Sequence, residues 1–408
     1  MSLSRRSFLA IPAAAGLAGC AGSRPLRVAV VWSGDELRRF LRVVKDSPYP
    51  VTVYSAGDNI AALLRGPSGE VTPDVAVIPR LGLLYDPEIR RRISPLTPIR
   101  RQPEFWRDLA SPVPGQVLGA WFKIAHKSLV WHRDGEGLAR PPTLDAWASR
   151  TLSIGAADGW VLTDWFENVL LARSPSTYSK LFSHGESSPE LWATGEVRQA
   201  LEQLATIWQQ GVTAERGRRA LTLQFHDSIL DVFTYRTAEV VAAPDFAWPV
   251  IARYHAAGVR AAHFRFPANG GAAPPLVVGG DVAVAMSGGT ADAFDFVHWL
   301  TSPRPPGGDR SDTQEAWAAE GGFLAPYIDA SISPPALRGA ARDLAGVRTG
   351  QYDLSDRLTG PLAGGDGRGL WRILTELFIA VTIDRTQPAT AAGTAADDLV
   401  SAGSRGSR

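Results

Sequence analysis

The sequence predicts an α/β protein of two domains, the first built on an open, mostly parallel sheet. Three observations lead there. The chain has 408 residues, more than one hydrophobic core usually supports. Between residues 26 and 78, short apolar runs alternate with stretches of helical spacing, giving β-α-β-α-β. The stretch 115–133 (GQVLGAWFKIAHKSLVWHR) is apolar at both ends, through Val117, Leu118 and Ala120 and then Leu129, Val130 and Trp131. It carries Lys123, His126 and Lys127 in between. One long half-buried strand of this kind fits a chain leaving one core for another, with its polar middle turned to a ligand cleft.

The elements follow in order. Residues 26–32 (LRVAVVW) read as a buried strand of the parallel type. Ser33 and Glu36 have the spacing of a capping box, and Leu37, Phe40, Leu41 and Val44 continue as a helix. Residues 51–54 and 74–78 are the next strands, with a short helix between them that stops at Gly66. In such sheets ligands sit beyond the carboxyl ends of the strands, which places 32–36, 57–59 and 79–80 at the site. Further on, 151–154 is a strand running into 155–160, 190–210 is an amphipathic helix, and 239–243 is a strand followed by 244–248. The strand 276–286, interrupted by Gly279, Gly280 and Asp281, is a second crossing. Residues 368–383 form the last strong helix. From Gln387 the composition of Ala, Thr, Gly and Ser predicts disorder.

Composition narrows the function classes. The chain is 45% hydrophobic and 20% charged with a formal charge of +1, so no basic face for nucleic acid is expected. The seven His show neither an i,i+4 pair nor HExxH, so no metal site or cofactor is expected. No GxSxG or P-loop pattern occurs. At the N-terminus, Arg5 and Arg6 precede a short apolar run and the small residues before Cys20, the pattern of an export signal. The paired arginines resemble a twin-arginine signal, and Leu17-Ala18-Gly19-Cys20 resembles a lipobox. The latter implies lipidation of Cys20, the single cysteine.

A set of ordered landmarks then stands out. These are Asp74-Val75, the crossing that ends Leu129-Val130-Trp131-His132-Arg133-Asp134, Pro142-Thr143-Leu144-Asp145-Ala146-Trp147, Ala247-Trp248, Gly279-Gly280-Asp281 and Gly321-Gly322-Phe323-Leu324-Ala325-Pro326. With them the chain resembles the extracellular solute-binding proteins of carbohydrate ABC importers, the family that includes the maltose-binding protein. The resemblance implies a periplasmic-binding-protein-like α/β fold of two lobes, each a mostly parallel sheet flanked by helices, joined by crossing hinge strands. It divides the chain into an export signal (1–19), a lipidated tether (20–25), one lobe (26–124 and 280–325), the other (125–279 and 326–386), and a disordered tail (387–408). The implied protein is a monomer on the outer face of the cytoplasmic membrane, with ABC permease subunits as partners and no enzymatic activity.

The resemblance also places ligand contacts. Ser33 and Asp35 match the first loop, and Arg80 follows the third strand. His126 and Lys127 lie at the ligand-facing turn, beside Ala125 where the family often has an acid. Asp158 and Trp160 lie where the second lobe meets the cleft, Phe246 takes the place of the lobe's aromatic with Asp245 beside it, and Trp371 matches a stacking residue. From the residues alone, Trp32 ends a strand at the cleft edge or packs in the core, and Asp35 contacts ligand or only favours the helix dipole. Phe246 and Trp371 stack on ligand or fill a core. Lys123 and Lys127 share one face of the strand; they are either a solvated edge or a pair selecting an anion such as a glycerophosphodiester. An exported glycan-acting enzyme, with Asp158 and Asp245 as its carboxylates, is the competing class.

Overall fold

The computed structural model describes residues 24–66, 72–97, 102–136, 138, 140–141, 143–269, 272–302, 313–321, 323–326, 333–347, 351–363 and 369–406. The export signal and Cys20 lie outside them. Two sheets organise the chain. The first contains β1 (Leu26–Val30), β2 (Val51–Ser55), β3 (Val75–Ile78), β4 (Ala120–His126) and β9 (Val278–Ala285), in the order β2-β1-β3-β9-β4. The second contains β5 (Leu129–Arg133), β6 (Leu152–Ser153), β7 (Val240–Ala242) and β8 (Ala261–Arg265), in the order β6-β7-β5-β8.

In each sheet all strands but one point the same way. The exceptions are β9 in the first sheet and β5 in the second. Each reversed strand is the one that arrives from the other sheet. Only Lys127 and Ser128 separate β4 from β5, so the chain passes directly from the first sheet into the second. The first sheet is covered on both faces. Val28, Val30, Val75 and Val77 pack into one core with Phe40, Phe296 and Trp317, whereas Ala29, Ala76 and Ile78 pack into another. That explains why these strands are apolar without alternation.

The single half-buried strand expected over 115–133 is therefore two strands in two sheets, and all their residues are buried, the charged ones included. The approach of β9 to β4 depends on glycine. Gly280 has φ +155°, and a Cβ there would lie 2.3 Å from the carbonyl oxygen of Lys123. A Cβ on Gly279 would lie 2.8 Å from Cε of Lys127.

The helices that matter for the site are α1 (Gly34–Val44), α2 (Gly159–Arg173), α3 (Gly195–Gly211), α4 (Phe225–Phe233), α5 (Trp248–Tyr254), α6 (Leu354–Arg357), α7 (Gly369–Thr382) and α8 (Pro388–Gly406). Helix α2 is not legible in the sequence because it is buried on every side from Val161 to Leu171. With no solvent face there is no amphipathic period to read. The predicted disordered tail is a correction: 388–406 form α8, which packs on α3 and α7. Ala391, Ala392, Ala395, Ala396, Leu399 and Ala402 are buried at helical spacing. Alanine is both the best helix former and small enough for close helix packing, so a composition poor in large apolar residues still makes a docked helix.

Candidate ligand cleft

The crossing residues are tied down by charge. Lys127 forms ion pairs with Asp353, with Asp356 at 3.1 Å and with Asp164 at 3.5 Å. It thereby joins the first crossing to α6 and α2. Burial alone would lower its pKa, but the three carboxylates outweigh that and hold the ammonium well above the usual lysine range. Asp353 is correspondingly low despite its burial, whereas burial, with repulsion from Asp353, pushes Asp356 up to about 7. Glu167 completes the network, accepting from Tyr178 Oη at 2.7 Å and from the backbone N–H groups of Leu354 and Ser355.

Lys123 is similarly occupied. Its Nζ donates to Glu36 Oε1 at 2.8 Å and lies 3.4 Å from Asp281. It also sits 4.7 Å from the ring centre of Phe246 and 4.6 Å from that of Phe323, within cation–π range. Burial opposes its charge, but Glu36 and Asp281 raise its pKa on balance. Glu36 is thus taken from the capping role its spacing suggested, and Ser33 makes no side-chain cap bond. Lys123 is buried, Lys127 is nearly so, and both are compensated, so neither a solvated edge nor an unpaired anion-selecting charge describes them.

His126 is fully buried, its N–H donating to Asp245 Oδ1 at 2.6 Å and its Nε2 lying 3.3 Å from Asp343 Oδ2. Asp245 is fully buried as well, and its second carboxylate oxygen has no hydrogen-bond partner among the described residues. Burial pushes its pKa up to about 7, against the pull of the His126 N–H and of Lys123. These two residues, expected at the ligand, are instead buried together at the end of the first crossing.

The surface open to a ligand lies beside them. Trp160 on the first turn of α2, Phe225 at the start of α4 and Phe246 form a trio, with ring centres 4.9, 5.3 and 5.9 Å apart. Asp158 does not face the cleft freely; its Oδ2 accepts from the backbone N–H of Phe225 at 2.6 Å and so places that ring. The trio lines a cavity of about 170 Å³, closed by Asp35, Glu36 and Arg39 of α1, by Arg253 and Tyr254 of α5, and by Phe323. Rings on one side and carboxylates on the other suit a small, hydroxylated ligand with apolar C–H faces.

A second, wider chamber of about 1060 Å³ lies at the ends of β2 and β3. It is lined by Asn59, Arg65, Arg80 and Asp86 on one side and by Thr359, Arg372, Glu376, Asp398 and Arg405 on the other.

Of the expected contacts, Asp35, Trp160 and Phe246 meet at the narrow cavity and Arg80 at the wide chamber. Ser33 is exposed at the start of α1. Trp371 is partly buried against the backbone of Gly159, where a Cβ would lie 2.8 Å from its own Cβ. Trp32 is a correction. It is 6% exposed and stacks on Trp317 at 5.2 Å within the core beside Phe40 and Phe122. Sequence reasoning missed Phe225, Arg253 and Tyr254, which carried no motif, and Phe323, which lay unweighed inside a quoted landmark. Among the described residues, no group of three or more His, Cys, Asp or Glu is arranged to hold a metal ion.

Two curated relatives match most of the chain. The osmoprotective compounds-binding protein GgtB of Synechocystis sp. (strain ATCC 27184 / PCC 6803 / Kazusa) is 28% identical over 363 residues, covering 77% of this chain and 79% of that one. The alpha-glucosides-binding periplasmic protein AglE of Rhizobium meliloti (strain 1021) is 25% identical over 337 residues, covering 72% and 70%. Among solved structures, the bacterial solute receptor AcbH superposes with a TM-score of 0.70 over 94% of this chain and 99% of its own, at 14% identity. The fold is that of the extracellular solute-binding proteins. No family model matches the chain. In the solute-binding fold the two sheets correspond to two halves around a cleft, and both cavities of this chain are lined from both halves.

Proposed function

We propose that this chain is the substrate-binding receptor of an ABC importer, capturing a sugar or sugar derivative between two lobes and delivering it to permease subunits. One observation carries the reading: the cavity between α1 and the second sheet, with Trp160, Phe225 and Phe246 on one wall and Asp35 and Glu36 on the other. Supporting it, both curated relatives bear the names of binding proteins, one for osmoprotective compounds and one for alpha-glucosides.

The receptor performs no chemistry; ligand shifts it to the closed form. The carboxylates an exported glycan-acting enzyme would need are committed elsewhere, Asp158 to the Phe225 N–H and Asp245 to the hinge. The receptor is a monomer held on the outer face of the cytoplasmic membrane by lipid on Cys20. None of the helices among the described residues is long and apolar enough to cross a membrane.

A thermal-shift panel of sugars tests the function. A true ligand at a hundredfold excess over Kd adds about 2.7 kcal/mol, and a panel with no shift removes the reading. Hydrolysis of a glycan by the purified protein would replace it with the enzyme class. Cys20→Ala should move the protein from the membrane to the soluble fraction.

A further inference from the structure

The two chambers of the cleft differ in chemistry, and only one is explained by a neutral sugar. The narrow cavity is walled by rings. The wide chamber has no aromatic residue among those lining it and carries four arginines, Arg65, Arg80, Arg372 and Arg405. Three carboxylates share it, and two of them already hold an arginine: Asp86 binds Arg65 and Glu376 binds Arg372. Arg80 differs. It is half-buried at the carboxyl end of β3, and its guanidinium makes no ion pair or hydrogen bond with another described residue. Asp356 is close enough to feel its charge, but that carboxylate turns to Lys127 at 3.1 Å.

We infer that the wide chamber is an anion subsite centred on Arg80, so that the captured molecule is a sugar derivative bearing a carboxylate or phosphate. This inference rests on the receptor reading above and adds the ligand's charge. Position favours it, because ligands in open α/β sheets sit beyond the carboxyl ends of the strands. So does chemistry: a planar guanidinium binds carboxylate and phosphate through two parallel N–H bonds, and a half-buried one is less screened by salt than a surface charge. Size is compatible, since the chamber at about 1060 Å³ is several times the narrow cavity at about 170 Å³. The anion is thus assigned to an arginine with no partner among the described residues rather than to Lys123 and Lys127, which have theirs.

The test is tryptophan fluorescence titration of the full chain with matched pairs: D-glucose against D-glucuronate and D-glucose 6-phosphate, and D-galactose against D-galacturonate. The anionic members are expected to bind at least about tenfold tighter, with an advantage that shrinks as salt is raised. Arg80→Gln should abolish that advantage, weakening the anionic members far more than the neutral ones. Arg372→Gln, at an exposed position on the same wall, should reduce it by a smaller factor and serves if Arg80→Gln does not fold. The carboxylate and phosphate members show which group is preferred. Neutral sugars binding as tightly as their anionic partners, or Arg80→Gln weakening both alike, overturns the anion subsite and leaves the receptor reading standing. If neither set binds, the receptor reading falls and this inference with it.

Discussion

Arg253 reaches across the cleft to Asp35, its Nη1 2.5 Å from Oδ2. The two are 218 positions apart, one on α5 packed beside the second sheet and the other on α1 behind the first. Asp35 is also bonded by Arg38 within its own helix, and that bond, with the charge of Arg253, holds its carboxyl below the usual range despite partial burial. The pair therefore spans the mouth of the narrow cavity, and we propose that it acts as a latch between the two halves.

A latch open to solvent contributes modestly. Asp35→Asn should weaken ligand affinity by about two- to fivefold, in line with ~0.4–1 kcal/mol for an exposed ion pair. High salt should mimic the substitution. Titration at low and high ionic strength checks this; an unchanged affinity in both would show that the pair does not contribute to closure.

We propose that Lys127 holds the crossing through its ion pairs rather than contacting the ligand. Lys127→Met would strand Asp353, Asp356 and Asp164 in a buried site, and removing one partner of a buried charge cluster costs about 3–5 kcal/mol. Chemical denaturation should show that loss. A variant of unchanged stability that no longer binds ligand would return Lys127 to the ligand site.

Asp245 makes stability depend on pH. Its folded pKa, about 7, lies above the unfolded value near ~3.9. The fold therefore holds the proton more tightly than the unfolded chain does. The stabilisation is complete below the unfolded pKa and is lost as pH rises through about 7. Asp245→Asn should gain stability relative to the parent as pH rises across that window. A stability difference that stays flat with pH would contradict the assignment.

Two tryptophans should separate cleft from core. Trp160→Ala should weaken ligand binding by about tenfold, ~1.4 kcal/mol, the order expected for losing a stacking face, with a smaller effect on stability. Trp32→Ala should cost about 3–5 kcal/mol of stability and leave the affinity of the folded protein unchanged. Paired melting curves and titrations distinguish them, and the reverse pattern would exchange their roles.

Much of this was legible in one dimension. Apolar runs without alternation marked β1 and β3, because both faces of their sheet are covered. The abrupt change of pattern in 115–133 marked the place where the chain leaves one core for another, and Gly279-Gly280 marked its return. The resemblance pointed to Trp160, Phe246 and Asp35, and all three line the narrow cavity. What misled was chemistry read without its partners. Lys123 and Lys127 look like ligand-seeking charges until Glu36, Asp281, Asp353 and Asp356 are brought beside them. Trp32 looks like a cleft residue until Trp317 stacks on it, and α8 looks disordered until α3 and α7 give its alanines a surface.

By itself the sequence determined most strands of the first sheet, the amphipathic helices and where the chain crosses between cores, because those depend on local apolar patterning and on glycine. Tertiary structure alone decided which polar residues remain free for a ligand. A buried charge must be compensated, and its compensators here come from positions far away in the chain. Lys127 is neutralised from beyond residue 350, while Arg80 keeps its guanidinium in the cleft without a described partner.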